Sequence, residues 1–435
     1  MKRGSTAAAR ATALAAALLV LAAAGGPAAQ PHETDHLIRF YQARVARDPD
    51  DFLGYSKLGI AYVQKARDTG DVAYYDLADK ALRRSLALVP RGPAAGAATA
   101  WLAVVELARH QFRDALATAE RAIALGPGEL YPYAILGDAY VELGEYDRAA
   151  QAYAKMSELS GPLHPHSRVA YLKFLTNDPA GAIVHARRAV AAVPGGAPAE
   201  NVAWTHAQLA ELLFHTGDLA GAEKAYQDAL ARRPGYHRAV AGLAGVRAAQ
   251  ARYAEAIALY RKAIEVVPLP EYAAALGDVY TKSGRTDEAR QQYELVEFIG
   301  RLNALNKTIY NRELALFYAD HDVKPREALE LAERELQARR DIYTYDVLAW
   351  ALYRNGRARE AAAAMAEALR LGTRDARLYF HAGMIHAALG DSRRAREHLS
   401  GALAINPRFH PLQADVAARV LADLGRGAKP GERPR

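Results

Sequence analysis

The apolar positions of this 435-residue chain recur at helical spacing around small residues, in units that repeat along its length. The stretches "AILGDAYVELGEYDRAAQAY" (134–153), "AALGDVYTKSGRTDEARQQY" (274–293) and "FHAGMIHAALGDSRRAREHL" (380–399) share one layout. A small residue stands in an apolar stripe, a glycine marks a turn, and an alanine follows twelve positions after the small residue. That alanine recurs at 78, 115, 149, 182, 222, 256, 289, 328, 361 and 395, so successive intervals run from 33 to 40 residues. Six times a proline stands twelve residues beyond it, at Pro90, Pro127, Pro194, Pro234, Pro268 and Pro407.

Apolar residues three and four apart predict amphipathic helices, and a glycine between two such runs predicts a turn. Each period is therefore a helix–turn–helix. The small residue on the first helix (Gly59, Gly137, Gly277 and Gly383, with alanine elsewhere) lets the second helix approach closely, and the recurrent alanine does the same from the other side. Leu58, Leu102, Leu136, Leu209, Leu243, Leu276 and Leu348 stand just before the small residue and fill the space between helices. The proline cannot continue the second helix and restricts the residue before it. One such pair cannot bury its own apolar face, so pairs must stack into a shared core.

The period divides the chain. Residues 30–49 are read as a leader and a lone helix over 35–47, residues 50–300 as seven units and 301–410 as three more. Residues 411–425 are expected to form a capping helix, and 426–435 a disordered basic tail. The first unit carries extra residues in its turn, "KARDTGDVAYYD", and "GGAPAENV" accounts for the interval of 40. Around "RLNALNKTIYNREL" (301–314) a second helix is expected to run on into a longer connection.

This pattern resembles the tetratricopeptide repeat, a 34-residue helix–turn–helix with small residues and a closing proline, over about residues 35–425. The resemblance implies an all-α solenoid wound as a right-handed superhelix, acting as a non-catalytic scaffold for a protein or peptide partner. In that family a stripe on each first helix lines the concave groove. It comprises the residues one after, four after and three before the small position, together with neighbours on the same face. Here it supplies Tyr131, Asp138, Tyr171, Phe174, Trp204, Glu211, Phe214, Asp278, Tyr343, Asp346, Trp350, Tyr353 and Phe380 as the expected partner-binding residues. Aromatic residues gather in two blocks of that stripe, as contact surfaces do. Some family members hold a chaperone's C-terminal carboxylate through Lys, Asn and Arg in this stripe. The position after the small residue contains no Asn here, so that ligand is not expected.

Composition sharpens the reading at the chain ends. A basic start (Lys2, Arg3, Arg10), the apolar run "ALAAALLVLAAA" (13–24) and small residues after it have the parts of a cleaved export signal over 1–29, with cleavage near 24–29. No second hydrophobic stretch is long enough to span a membrane. The expected location is periplasmic or secreted, and the absence of cysteine removes disulfides, thiol catalysis and a lipidated N-terminal cysteine. The formal charge of +7 lies at the ends, three charges in the first thirty residues and a net three in "GRGAKPGERPR". A near-neutral body gives no phosphate-tracking surface, so no nucleic-acid partner is expected. A narrower alternative is an adaptor for envelope assembly or for polysaccharide or protein export.

The chemical motifs are weak beside the repeat. "HETDH" (32–36) matches the zinc-protease pattern and keeps a zinc-dependent hydrolase as the alternative from another class. Pro31 precedes it, Thr34 and Asp35 read as helix caps, and Arg39 and Gln42 stand where the extended pattern needs a glycine and a third histidine. His164 and His166 lack clustered partners, and Asp68, Asp71 and Asp76 read as a solvated turn with caps. Arginine pairs such as Arg232-Arg233 and Arg339-Arg340 are expected to complement helix C-termini. No catalytic residue, metal or cofactor is expected.

Overall fold

The computed structural model describes residues 33–160, 166–305 and 311–426. The expected export signal, His32, His164 and the tail beyond Arg426 lie outside the described residues. Among the described residues there are 22 helices and no strand. The lone helix α1 (Glu33–Arg47) is followed by α2 (Phe52–Thr69) paired with α3 (Ala73–Leu88), α4 (Pro93–Ala108) with α5 (Phe112–Leu125), and α6 (Leu130–Glu142) with α7 (Tyr146–Ser160). The middle pairs are α8 (His166–Leu175) with α9 (Pro179–Ala191), α10 (Ala199–His215) with α11 (Leu219–Arg232), and α12 (His237–Ala249) with α13 (Tyr253–Val266). Then come α14 (Pro270–Lys282) with α15 (Thr286–Leu305), α16 (Asn311–Asp320) with α17 (Pro325–Ala338), α18 (Ile342–Arg354) with α19 (Ala358–Ala368), and α20 (Ala376–Ala388) with α21 (Ser392–Ile405). A final helix α22 (Gln413–Gly425) packs on α21.

The repeat is built by close approach. All ten recurrent alanines are buried, at 2% exposure or less. A β-carbon at Gly59 would lie 2.6 Å from Leu82 Cγ, and one at Gly383 the same distance from Leu399 Cγ. At Gly137, Gly242 and Gly277 it would overlap the rings of Tyr153, Tyr226 and Tyr293. Within most pairs the turn is made by one residue in the left-handed region. Gly144, Gly217, Gly284, Gly356 and Gly390 fill that position, and His110, Asn177 and Ala251 fill it without glycine. First helices also pack on the first helices of neighbouring units, forming a continuous inner layer.

Units far apart in sequence touch as well. The Arg339 guanidinium, 3% exposed, donates to Glu142 at 3.0 Å and pairs with Glu335. The Arg340 N–H donates to the Glu142 carbonyl, and the Tyr146 hydroxyl accepts from the Ile342 N–H at 2.9 Å. Thr373 donates to the Leu175 carbonyl, and Asn406 donates to that of Phe214. Arg233 bridges to Asp68, 165 residues away. Tyr146, Tyr153 and Leu175 share one hydrophobic cluster with Ile342, Leu352 and Leu378. The superhelix thus winds tightly enough that one turn rests on the next.

Several local expectations are corrected by this packing. Thr34 and Asp35 lie inside α1 and do not cap it: Thr34 donates to Asp68 at 2.9 Å and Asp35 pairs with Lys65 at 2.6 Å. Asp68 belongs to the last turn of α2, because that helix runs four turns and more before Gly70 ends it, and the carboxylate is enclosed by Thr34 and Arg233. Arg233 and Arg339 join turns of the superhelix, which a helix-terminus role would not require. The long second helix expected near residue 300 is α15, twenty residues long.

Candidate functional site

Inside the spiral the first helices enclose a cavity of about 550 Å³. Its wall is built from α8, α10, α14, α16 and α18, with Ala186 and Ala189 of the second helix α9, Asp375 and Arg377 at the start of α20 and His410 before α22. This volume falls in the range of small-molecule and peptide-end pockets. Tyr171, Phe174, Phe317 and Tyr343 give it aromatic surfaces, and Ala170, Ala274 and Ala275 leave the space open. Tyr171 keeps 40% of its surface uncovered there.

Three aspartates in the wall are held by fixed partners. Asp278 accepts from His321 at 2.7 Å and from the Tyr293 hydroxyl at 2.9 Å, and its second oxygen lies 3.2 Å from His410. Burial alone would raise this carboxyl, but the two histidines override burial and hold it well below the usual carboxylate range. The other ring nitrogen of His321 meets the Phe317 carbonyl at 2.8 Å, so both nitrogens face acceptors and both must donate. Burial works against that imidazolium, yet Asp278 raises its pKa above the ordinary value. Asp320 accepts from Trp350 Nε1 at 2.8 Å and from Gln413 at 2.7 Å. Asp375 caps α20 and lies 3.3 Å from the Tyr343 hydroxyl and 3.5 Å from His215.

The glutamates differ. No side chain among the described residues hydrogen-bonds or ion-pairs with Glu211 or Glu271, both open to the cavity. Glu313 lies 3.5 Å from Arg312 through one oxygen, while its buried Oε2 has no hydrogen-bond partner. Glu271 is open to the cavity but ringed by protein, and the resulting desolvation, with the charge of Glu313 second, pushes its carboxyl up to about 7.

Of the residues expected in the groove, Tyr171, Phe174, Glu211, Asp278 and Tyr343 come together in this wall. The others go elsewhere. Asp138 takes a forked pair of bonds from Arg168 and one from Tyr153, and Tyr131 lies against Trp101 with centroids 5.1 Å apart. Trp204 and Phe214 pack on the core of the middle units. Asp346 is buried against His381 at 2.8 Å. Trp350 is buried between Tyr353, Phe380 and His381, so the second aromatic block is largely interior. Glu271 and Glu313, absent from the expected set, stand seven residues before Asp278 and Asp320, two turns along the same face. Extending the stripe by a heptad reaches Glu271 but not Glu313, which stands two residues before the small position Ala315. Asp375, Arg377 and His410 come from helix starts and connections that no helical period marks.

Among the described residues no helix is long and apolar enough to cross a membrane, and no group of three or more His, Asp or Glu side chains is arranged to hold a metal ion. Two family models, each described as tetratricopeptide repeat, match the chain, one over residues 213–278 and the other over 102–162 and 347–408. These matches fall on the helix pairs just described. The chain is a tetratricopeptide-repeat protein. No curated protein matches it in sequence. Among solved structures this tetratricopeptide-repeat chain is similar to yeast Tom70, at 15% identity over 91% of this chain and 93% of that one, with a TM-score of 0.41. It is also similar to the human IFIT1 dimer with PPP-AAAA (12% identity, 86% and 87% covered, TM-score 0.47). A tetratricopeptide repeat protein from Parabacteroides merdae matches at 16% identity over 60% of this chain and 97% of that one, with a TM-score of 0.35.

Proposed function

We propose that this protein is an exported scaffold that takes a segment of a partner protein into the cavity at the centre of its superhelix. Its repeats make it a protein-interaction scaffold. The observation that carries the finer reading is the cavity itself: a space of about 550 Å³ kept open by alanines, walled by first helices of several units and furnished with uncommitted carboxylates. A stacked core needs no such space, since interiors close to crystal-like density. Export rests on the N-terminal pattern of basic start, apolar run and small residues.

A photo-crosslinking side chain placed at Tyr343 in the cavity and, separately, at Leu77 on the exposed side of α3 tests the site in the native cell. The expected result is one partner captured from position 343 and not from 77. Capture from 77 alone would move the binding surface to the outside of the array. The N-terminal sequence of the purified protein tests export, with a start near residues 25–30 expected; an intact Met1 in a cytoplasmic fraction would overturn it.

A further inference from the structure

We propose that the cavity recognises a cationic group on an apolar stem, a primary ammonium or a guanidinium, held between Glu211, Glu271 and Glu313. The inference rests on the cavity being the binding site and adds the chemistry of its ligand. The charge balance of the wall carries it. Asp278, Asp320 and Asp375 already have their donors. Arg312 is shared by Asp341 at 3.4 Å and Glu313 at 3.5 Å, and the Arg377 guanidinium stands in the field of Asp375, Asp346 and Asp320. Arg312 is therefore committed, and Arg377 sits among carboxylates on the α20 side of the wall with its buried Nε unpartnered. On the side formed by α10, α14 and α16 what stays unmatched is carboxylate: Glu211, Glu271 and one buried oxygen of Glu313. In the same wall Tyr171 presents an open ring, and an aromatic face attracts a cation while covering its alkyl stem.

The state of Glu271 fits an absent cation. Its neighbours are Glu313 and Arg312 from α16, Arg238 from α12 and Tyr272 beside it on α14. Arg238 also faces Glu211 and forms an ion pair with neither glutamate among the described residues. Desolvated first, repelled by one carboxylate second and with only distant guanidiniums, Glu271 takes up a proton near neutrality. A bound cation would displace that proton, so affinity should rise with pH through this range.

Calorimetric titration of the full-length mature protein tests this with three end-capped pentapeptides differing only at the centre (lysine, norleucine or glutamate) and with spermidine. The lysine peptide should bind at least about tenfold more tightly than the norleucine peptide, as a charge-assisted contact requires, and the glutamate peptide should not bind. The isosteric Glu211→Gln/Glu271→Gln protein, checked for unchanged helicity, should lose at least about tenfold for the lysine peptide alone. Wild-type affinity for that peptide should increase from about pH 6 to about pH 8. Spermidine binding with the same glutamate dependence and no peptide binding would keep the cation site and assign it to a free polyamine, sinking the partner-segment reading instead. Equal binding of lysine and norleucine peptides would overturn the cation while leaving the cavity reading in place. Binding by neither lysine peptide nor spermidine, or tightest binding by the glutamate peptide, would overturn it too.

Discussion

Single side chains decide how near two helices come. On α12 two glycines three residues apart face different neighbours: a methyl at Gly242 would overlap the Tyr226 ring, whereas one at Gly245 would meet only the Tyr260 hydroxyl at 3.4 Å. Gly242→Ala should therefore destabilise the protein by about 1–3 kcal/mol, since Tyr226 is buried and cannot yield freely. Gly245→Ala should be neutral or stabilise by up to about 1 kcal/mol through helix propensity. Urea unfolding of the two variants side by side checks the contrast. Ala251 offers the converse case, because it fills with φ +58° the turn position that glycine fills in five other units. Ala251→Gly should raise stability by about 1 kcal/mol, the usual cost of a β-carbon in that region, read as a higher denaturation midpoint. The recurrent alanines were legible from sequence because each must lie flush against a helix in every unit. Ala251 was not, because a turn tolerates a strained residue without changing the pattern around it.

At the scale of helices, α14 and α16 bring Asp278, Glu271, Glu313 and His321 to one wall, and their protonation sets how stability varies with pH. His321 has a raised pKa in the fold, so its contribution is full below its ordinary value of 6.5 and fades as pH rises through the raised one. Glu271 has the same sign: its contribution is present below its ordinary 4.5 and is lost as pH rises through about 7. Asp278, held low, opposes them only in acid, where stability is lost as pH falls below its ordinary 3.8. Burial lowers His110 and His237 to about 4, and these two pull the other way, so the test is a difference: the urea midpoint of the wild type minus that of Glu271→Gln should be larger at about pH 5.5 than at about pH 8. A difference that grows toward alkaline pH would contradict the assignment. Five of the cavity residues could be read from the first-helix stripe because they repeat with the unit. The rest could not: the stripe tells which face of a helix points inward but not how sharply the array curls, and curvature decides which aromatic is wall and which is core. Trp350 sits on the same face as Tyr171 yet is sealed by its neighbours.

For the whole molecule the decisive contacts are those between superhelical turns. Arg339 is buried with Glu335 and reaches Glu142, so Arg339→Ala leaves a carboxylate enclosed without its cation and should cost about 3–5 kcal/mol. The apolar double variant Arg339→Met/Glu335→Leu should recover most of that loss. Gly144 lies against the Arg340 carbonyl, and a β-carbon at Gly217 would stand 2.9 Å from that of Ile405. Gly144→Val/Gly217→Val should loosen the spiral, giving a larger radius of gyration in X-ray scattering at unchanged helical circular dichroism; an unchanged radius would mean the seam does not hold the turns together. An ordinary solenoid unit needs only its sequence neighbours. Here Tyr146 and Leu175 wait for Ile342 and Thr373, nearly two hundred residues later. A chain still being synthesised would carry those surfaces uncovered until its last third had emerged, and closing so long a loop slows folding. The middle units should therefore complete folding only with the end of the chain, making ten repeats rise and fall as a single cooperative body.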